Sequence, residues 1–165
     1  MIIRTAKLSD LPAIVRIYNQ AIETKKSTGD LTKVDVNSRK KWLKEHDPDN
    51  YPVFVCEIGN DVCGWISLSP YRAGREALRY TSEVSYYVDF NSHGKGVGSK
   101  LLNYVIRESP KYHIKTIVAI VLERNVASIN MLKKFNFEQW GYLPNVADFD
   151  SVECGHLYFG LRVDK

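Results

Sequence analysis

Residues 114–122, IKTIVAIVL, are apolar almost without a break. A strand with one wet face alternates polar and apolar side chains, whereas a run with no polar face must be covered on both sides. The run therefore commits the chain to a sheet with helices on both faces and places this strand inside it. At 165 residues there is enough chain for one such core and little more, so residues 1–165 are read as a single domain.

The flanking segments supply the partners. Residues 2–6 alternate weakly as a first strand, and SDLPAIVRIYNQAIE follows at helical spacing, with Ser9 or Asp10 as N-cap and Pro12 in the first turn. TKKSTGDLTK reads as an exposed loop, and DVNSRKKWLKEH as a second helix that ends before Pro48 and turns Trp42 and Leu43 inward. YPVFVCEI and DVCGWISLS flank Gly59-Asn60, the signature of a two-residue hairpin, which would set Cys56 directly opposite Cys63. After the polar YRAGREA comes the strand LRYTSEVSYYVD, and then NSHGKGVGSKLLNYVI, a glycine-rich turn opening a helix. NVASINMLKKF is a short helix with Asn125 as N-cap, and NFEQWGYL and GHLYFGLRV are two closing strands. The order is β-α-α-β-β-β-α-β-α-β-β, an α/β (α+β) chain with one mixed sheet.

The glycine turn is the chemically informative piece. A P-loop needs Gly five residues after Gly94, but Ser99 stands there, and Lys100 is followed by Leu101 rather than Ser or Thr. A dinucleotide fingerprint starting at Gly94 ends on Ser99, and one starting at Gly96 ends on Leu101. What remains is a strand, a loop with glycines at 94, 96 and 98, and a helix N-terminus. Such a turn presents backbone N–H groups at the positive end of a helix dipole, where a pyrophosphate fits; a plain tight turn would need only one glycine.

Other classes fall away. The net charge of +4 is spread as short lysine pairs (Lys25-Lys26, Lys40-Lys41, Lys133-Lys134), too diffuse for a nucleic-acid surface. No apolar run approaches the eighteen residues or so of a membrane span, and the first ten residues lack the apolar stretch of a secretion signal. Cys56, Cys63 and Cys154 have no metal-ligand spacing and are expected as reduced thiols in a cytoplasmic protein. His46, His113 and His156 join no metal set and no nucleophilic triad, so no metal is expected.

The stretch from His93 to Gly98 resembles motif A of the GNAT superfamily of N-acetyltransferases, Gln/Arg-x-x-Gly-x-Gly/Ala, with His93 in place of the first Gln or Arg. The resemblance covers nearly the whole chain. IRTAKLSDLPAIVRIYNQAI, YPVFVCEIGNDVCGWISLS, YTSEVSYYVDFNSHGKGVGSKLL and NVASINMLKKFNFEQWGYLPNVADFD are similar to the phosphinothricin and methionine sulfoximine acetyltransferase branch. It implies the GNAT fold, a central mixed, mostly antiparallel sheet of six to seven strands with about four helices on both faces. It also implies acetyl-CoA as co-substrate and a homodimer.

The resemblance assigns roles residue by residue. Motif A, His93, Gly94, Lys95, Gly96, Val97, Gly98 and Ser99, would hold the CoA pyrophosphate through backbone N–H groups. The backbone of Tyr86, Tyr87 and Val88 would pair with the pantetheine arm, which requires the adjacent strands to splay. Asn125 and Ser128 match the family's Asn-x-x-Ser at the next CoA contact. Asn136 replaces the usual Gly before Phe, and Asn tolerates the left-handed backbone needed there. The position of the family's general acid, Tyr or His, is Leu132, which leaves water, Tyr86 or Tyr87 for that proton.

An amine arrives at neutral pH as ammonium and needs a base. Glu83 lies on the strand face it shares with Ser85 and Tyr87. From the residues alone it serves equally as a base or as an exposed strand charge; the resemblance implies the base. For an acceptor carboxylate, an arginine among Arg72, Arg75 and Arg79 would suit, at least two of the three being ordinary surface charges, and Thr81 shares Glu83's face. The expected activity is direct acetyl transfer, in a ternary complex, to the α-amino group of a small free amino acid or amino-acid-like toxin. The alternatives are a protein N-terminal or polyamine acetyltransferase, or a CoA-binding module without catalysis.

Overall fold

The computed structural model describes residues 1–164. The elements are β1 (Ile2–Thr5), α1 (Leu11–Thr24), α2 (Val36–Glu45), β2 (Val53–Ile58), β3 (Asp61–Pro70), β4 (Thr81–Val88), α3 (Val97–Glu108), β5 (Thr116–Leu122), α4 (Val126–Lys134), β6 (Glu138–Asp148) and β7 (Glu153–Arg162). One seven-stranded sheet runs β1-β2-β3-β4-β5-β7-β6. Every neighbouring pair is antiparallel except β4 and β5. The expected order of strands and helices is the observed one.

β5 sits inside the sheet, packed by helices on one face, while on the other Thr116 and Val118 are buried beneath a cleft rather than a helix. Ile117 and Ala119 pack with Leu101, Leu102, Val105 and Leu132 of α3 and α4. On the other side of the sheet, Ile14 and Ile17 of α1 meet Val53, Val55 and Trp65, with Trp42 and Leu43 of α2 packed against them. Trp65 keeps its indole N–H satisfied by donating to the carbonyl of Ile14 at 3.1 Å.

The parallel contact decides where a ligand can enter. Only Thr81↔Thr116, Ser82↔Ile117 and Glu83↔Val118 pair; past Glu83 the two strands part. β4 still pairs with β3 from Ser82 to Val88, so the backbone edge of residues 84–88 that faces β5 lacks a strand partner. This is the splay that an added pantetheine half-strand demands.

Two local expectations are corrected and a third is refined. Cys56 does not face Cys63: a bulge shifts the register, so Cys56 pairs with Gly64 while Glu57 pairs with Val62. Both cysteines are free, and the Cys63 thiol donates to the carbonyl of Cys56 at 3.1 Å. Burial pushes that thiol up to about 11, and the neighbouring Cys56 adds to it. Asp10 is the N-cap residue of α1, as expected, but its side chain does not bond the helix; the carboxylate accepts from Arg4 at 2.7 and 2.9 Å and from the Lys7 N–H at 2.7 Å, tying β1 to the turn before the helix. The loop after α1 is not wholly exposed, because Thr28 is buried and its hydroxyl lies 2.9 Å from the Tyr18 hydroxyl.

Candidate active site

The glycine turn and the strand splay meet in one cleft of about 500 Å³. It is lined by Tyr86, Tyr87 and Val88 from β4, by His93, Gly94, Gly96, Val97, Gly98 and Ser99 from the turn and α3, and by Asn125 and Ser128 from α4. Lys95 of the expected set stands outside, exposed on the turn. The cleft also takes in Ala21, Thr24 and Ser27 from α1 and its loop, and Met131 from α4, which sequence reasoning did not find. No motif marks these four; only the packing of α1 and α4 against β4 brings them there.

The turn suits an anionic group. Gly94 and Gly96 have φ of 74° and 79°, in the left-handed region that other residues enter at a cost of about 1–2 kcal/mol. Gly96 is the N-cap of α3 and, lacking a side chain, leaves the first N–H groups of the helix uncapped. Gly98 is helical and is set by space: an added Cβ would meet the Met131 sulfur at 3.3 Å. The residues present thus make a cradle of free N–H groups at a helix N-terminus, which fits a pyrophosphate.

His93 has a structural occupation. Its Nε2 lies 3.0 Å from the carbonyl of Val88, so Nε2 carries the proton and donates, and the ring stands edge-on to Phe90. The substitution at the first motif position therefore stitches the turn back to the end of β4. A second brace comes from α1: Arg16 pairs with buried Asp89, and Gln20 accepts from the Phe90 N–H at 3.0 Å. Burial alone would raise the Asp89 carboxyl, but Arg16 and the Asn91 N–H hold it below the usual range.

On α4, Asn125 caps the helix by accepting from the Ser128 N–H at 3.1 Å. The Tyr86 hydroxyl hydrogen-bonds the Ser128 hydroxyl, and burial pushes the Tyr86 phenol up to about 12. Leu132 is fully buried in the α3–α4 core and Met131 takes the cleft side, so residue 132 presents nothing to a ligand. The Tyr87 ring lies on the opposite sheet face, edge-on to Tyr18 at 5.0 Å and against Trp65 at 4.8 Å; burial raises its phenol strongly.

Glu83 is half-buried at the last paired position before the splay, between Ser69 of β3 and Val118 of β5. Its carboxyl is raised by burial. Thr81 lies two residues back on the same face. Arg72, Arg75 and Arg79 are exposed on the β3–β4 connection. Arg79 is engaged locally, donating to the carbonyl of Glu76 at 2.9 Å and lying 4.3 Å over the Tyr80 ring, whereas Arg72 and Arg75 form no side-chain hydrogen bond or ion pair among the described residues. His46 reaches the site's edge, its Nδ1 2.8 Å from the Trp42 carbonyl and its Nε2 3.2 Å from the hydroxyl of Ser69, the residue across from Glu83; the described residues contain no group of three or more His, Cys, Asp or Glu placed to hold a metal.

A sheet opened at one parallel pair, an N–H cradle at the mouth and a carboxyl at the fork define a CoA-dependent acyltransferase. The chain belongs to the acetyltransferase (GNAT) family, whose pattern it matches over residues 13–137, and it is an N-acetyltransferase that uses acetyl-CoA. YwnH of Bacillus subtilis, provisionally named a phosphinothricin acetyltransferase, is 36% identical over 151 residues, 91% of each chain. A Pseudomonas aeruginosa L-methionine sulfoximine/L-methionine sulfone acetyltransferase is 33% identical over 145 residues, 87% of this chain and 84% of that one. The structure of yncA from Salmonella typhimurium with its cofactor acetyl-CoA superimposes with a TM-score of 0.94 at 31% identity, covering 100% of this chain and 95% of that one. No helix is long and apolar enough to cross a membrane among the described residues.

Proposed function

We propose that the enzyme transfers acetyl directly from acetyl-CoA to the α-amino group of a free amino acid or amino-acid-like toxin. The observation that carries this reading is Glu83: a half-buried carboxyl with a raised pKa, at the fork where β4 and β5 part. The relatives named for phosphinothricin and methionine sulfoximine support an amino-acid-like acceptor.

Acetyl-CoA supplies the acetyl group as a thioester. The N–H groups of Gly94 and of Gly96 to Ser99 hold the pyrophosphate, the β4 edge at Tyr86–Val88, whose Val88 carbonyl is already met by His93, pairs with the pantetheine amides, and Asn125 and Ser128 flank the arm. Glu83 removes the ammonium proton and frees the nitrogen lone pair, and its raised pKa brings it nearer the working range of a general base. Arg72 or Arg75 receives the acceptor carboxylate. The nitrogen then attacks the thioester carbonyl, and as the C–S bond breaks the departing thiolate takes a proton from water or from the Tyr86 hydroxyl, which lines the cleft beside Ser128 and is restored through solvent by the second proton that the nitrogen sheds on becoming the amide.

Thiol release from acetyl-CoA, measured across amino acids, amino-acid analogues, polyamines and peptides, tests the reading. Amino acids should stimulate release, and Glu83→Gln should lower kcat/KM by about 10²–10⁴. Activity with peptides alone would move the substrate class to protein N-termini. CoA binding with no productive acceptor would make the domain a binding module, and full activity of Glu83→Gln would remove the base. By resemblance we also propose a cytoplasmic homodimer, for which sedimentation should return about twice the chain mass of 18.9 kDa.

A further inference from the structure

A second cleft, of about 490 Å³, lies on the sheet face that carries Glu83, with Glu83 just outside its lining and its neighbours Thr81 and Val118 inside it. Thr81, Thr116 and Val118 form its floor. Thr81 precedes Glu83 on the same face, and Val118 is the residue paired with Glu83 across β4 and β5, so the floor borders the carboxyl on two sides. Tyr71 and Leu78 wall it from the β3–β4 connection, the segment that carries Arg72 and Arg75.

The opposite wall is Trp140. A bulge between Gln139 and Gly141 leaves Trp140 out of the β6–β7 ladder. Its indole lies across Gly160 of β7, where an added Cβ would come within 2.0 Å of the ring. Gly160 pairs with Val118, and Val118 with Glu83, so carboxyl, floor and indole stand in one row across the sheet. One side of the ring is seated on backbone, yet Trp140 stays 51% exposed, with its other surface open. Two strand spacings, about 10 Å, separate the Glu83 and Gly160 positions.

We propose that Trp140, seated on Gly160, is the specificity shelf for the acceptor side chain, and that the preferred acceptor is an α-amino acid with a large apolar or aromatic side chain. The proposal rests on Glu83 being the base and on an amino-acid acceptor. With the α-nitrogen at Glu83 and the carboxylate toward Arg72 or Arg75, a phenylalanine ring or a methionine thioether reaches the indole, and an alanine methyl does not. A flat ring or a polarisable sulfur gains contact there, whereas the ammonium of a lysine side chain would be desolvated against Leu78, Trp140 and Leu143 without a partner.

Thiol-release kinetics with phenylalanine, methionine, alanine and lysine, on wild type, Trp140→Ala, Trp140→Phe and Gly160→Ala, test it. In wild type, kcat/KM for phenylalanine and methionine should exceed that for alanine and lysine by about tenfold or more. Trp140→Ala and Gly160→Ala should erase that ratio mainly through KM, and Trp140→Phe should restore part of it. Alanine as the best acceptor, or an equal loss for all acceptors in Trp140→Ala, overturns the proposal. Calorimetric titration with N-acetylphenylalanine and N-acetylalanine reads the shelf without turnover. Tighter binding of the aromatic product by wild type but not by Trp140→Ala supports the shelf even if the base assignment fails, and equal binding of the two products overturns it.

Discussion

Glu83 and its neighbours show how a residue's environment, rather than its type, selects its use. A glutamate on an antiparallel strand is ordinarily a solvated charge. Here burial raises its pKa, so the folded state holds the proton more tightly than the unfolded chain does. Below the unfolded value both states are protonated and nothing is lost; as pH rises through the folded value the buried carboxylate becomes a destabilising charge. Glu83→Gln should therefore raise Tm at pH 7 and change it little at pH 4, while activity falls, a pairing that differential scanning calorimetry and the thiol assay read together. The same raised pKa should appear as the acid limb of the kcat/KM profile in wild type, above the ordinary glutamate value of 4.5. His93 serves two ends: it lines the cleft at the motif position, and its side chain braces the Val88 carbonyl.

At the scale of elements, the site is held by α1 as much as by α3. The Arg16–Asp89 pair and the Gln20–Phe90 hydrogen bond fasten the end of β4 and the start of the glycine turn to the first helix. Asp89→Asn keeps the shape but removes the charge that Arg16 meets, and should cost about 1–3 kcal/mol of stability. It should also weaken CoA binding, read by calorimetry, with little change in kcat at saturation, because the cradle is loosened and the base is untouched. At the other end of the cleft, Leu132 serves packing. Leu132→Ala, at a fully buried position, should cost about 2–5 kcal/mol in a denaturant melt.

For the whole molecule, acid sensitivity should follow the two depressed carboxyls that are buried. Asp10, held down chiefly by Arg4, and Asp89, held down by Arg16 and the Asn91 N–H against the effect of burial, stabilise the fold above the unfolded aspartate range. That contribution is lost as pH falls through their lowered values. A Tm series from pH 7 to pH 2.5 should fall steeply only below about pH 4, and Asp89→Asn should flatten the fall. Glu83 opposes this trend, so the Glu83→Gln chain should show the steeper loss. Much of this architecture is written locally: the unbroken run of β5, the glycines before α3 and the Asn125 cap all carry their own backbone or burial requirement, whatever their neighbours do. Side-chain alternation likewise fixes which face Glu83 shares with Thr81, Ser85 and Tyr87. Local chemistry could not register the bulge that separates Cys56 from Cys63, because a bulge is chosen by the whole β2–β3 pairing. Nor could it bring Ala21, Thr24, Ser27 and Met131 to the cleft, or set Trp140 across Gly160 in line with Glu83. Those arrangements depend on contacts between separate elements, and their geometry is decided only when the sheet closes and its strands take a common register.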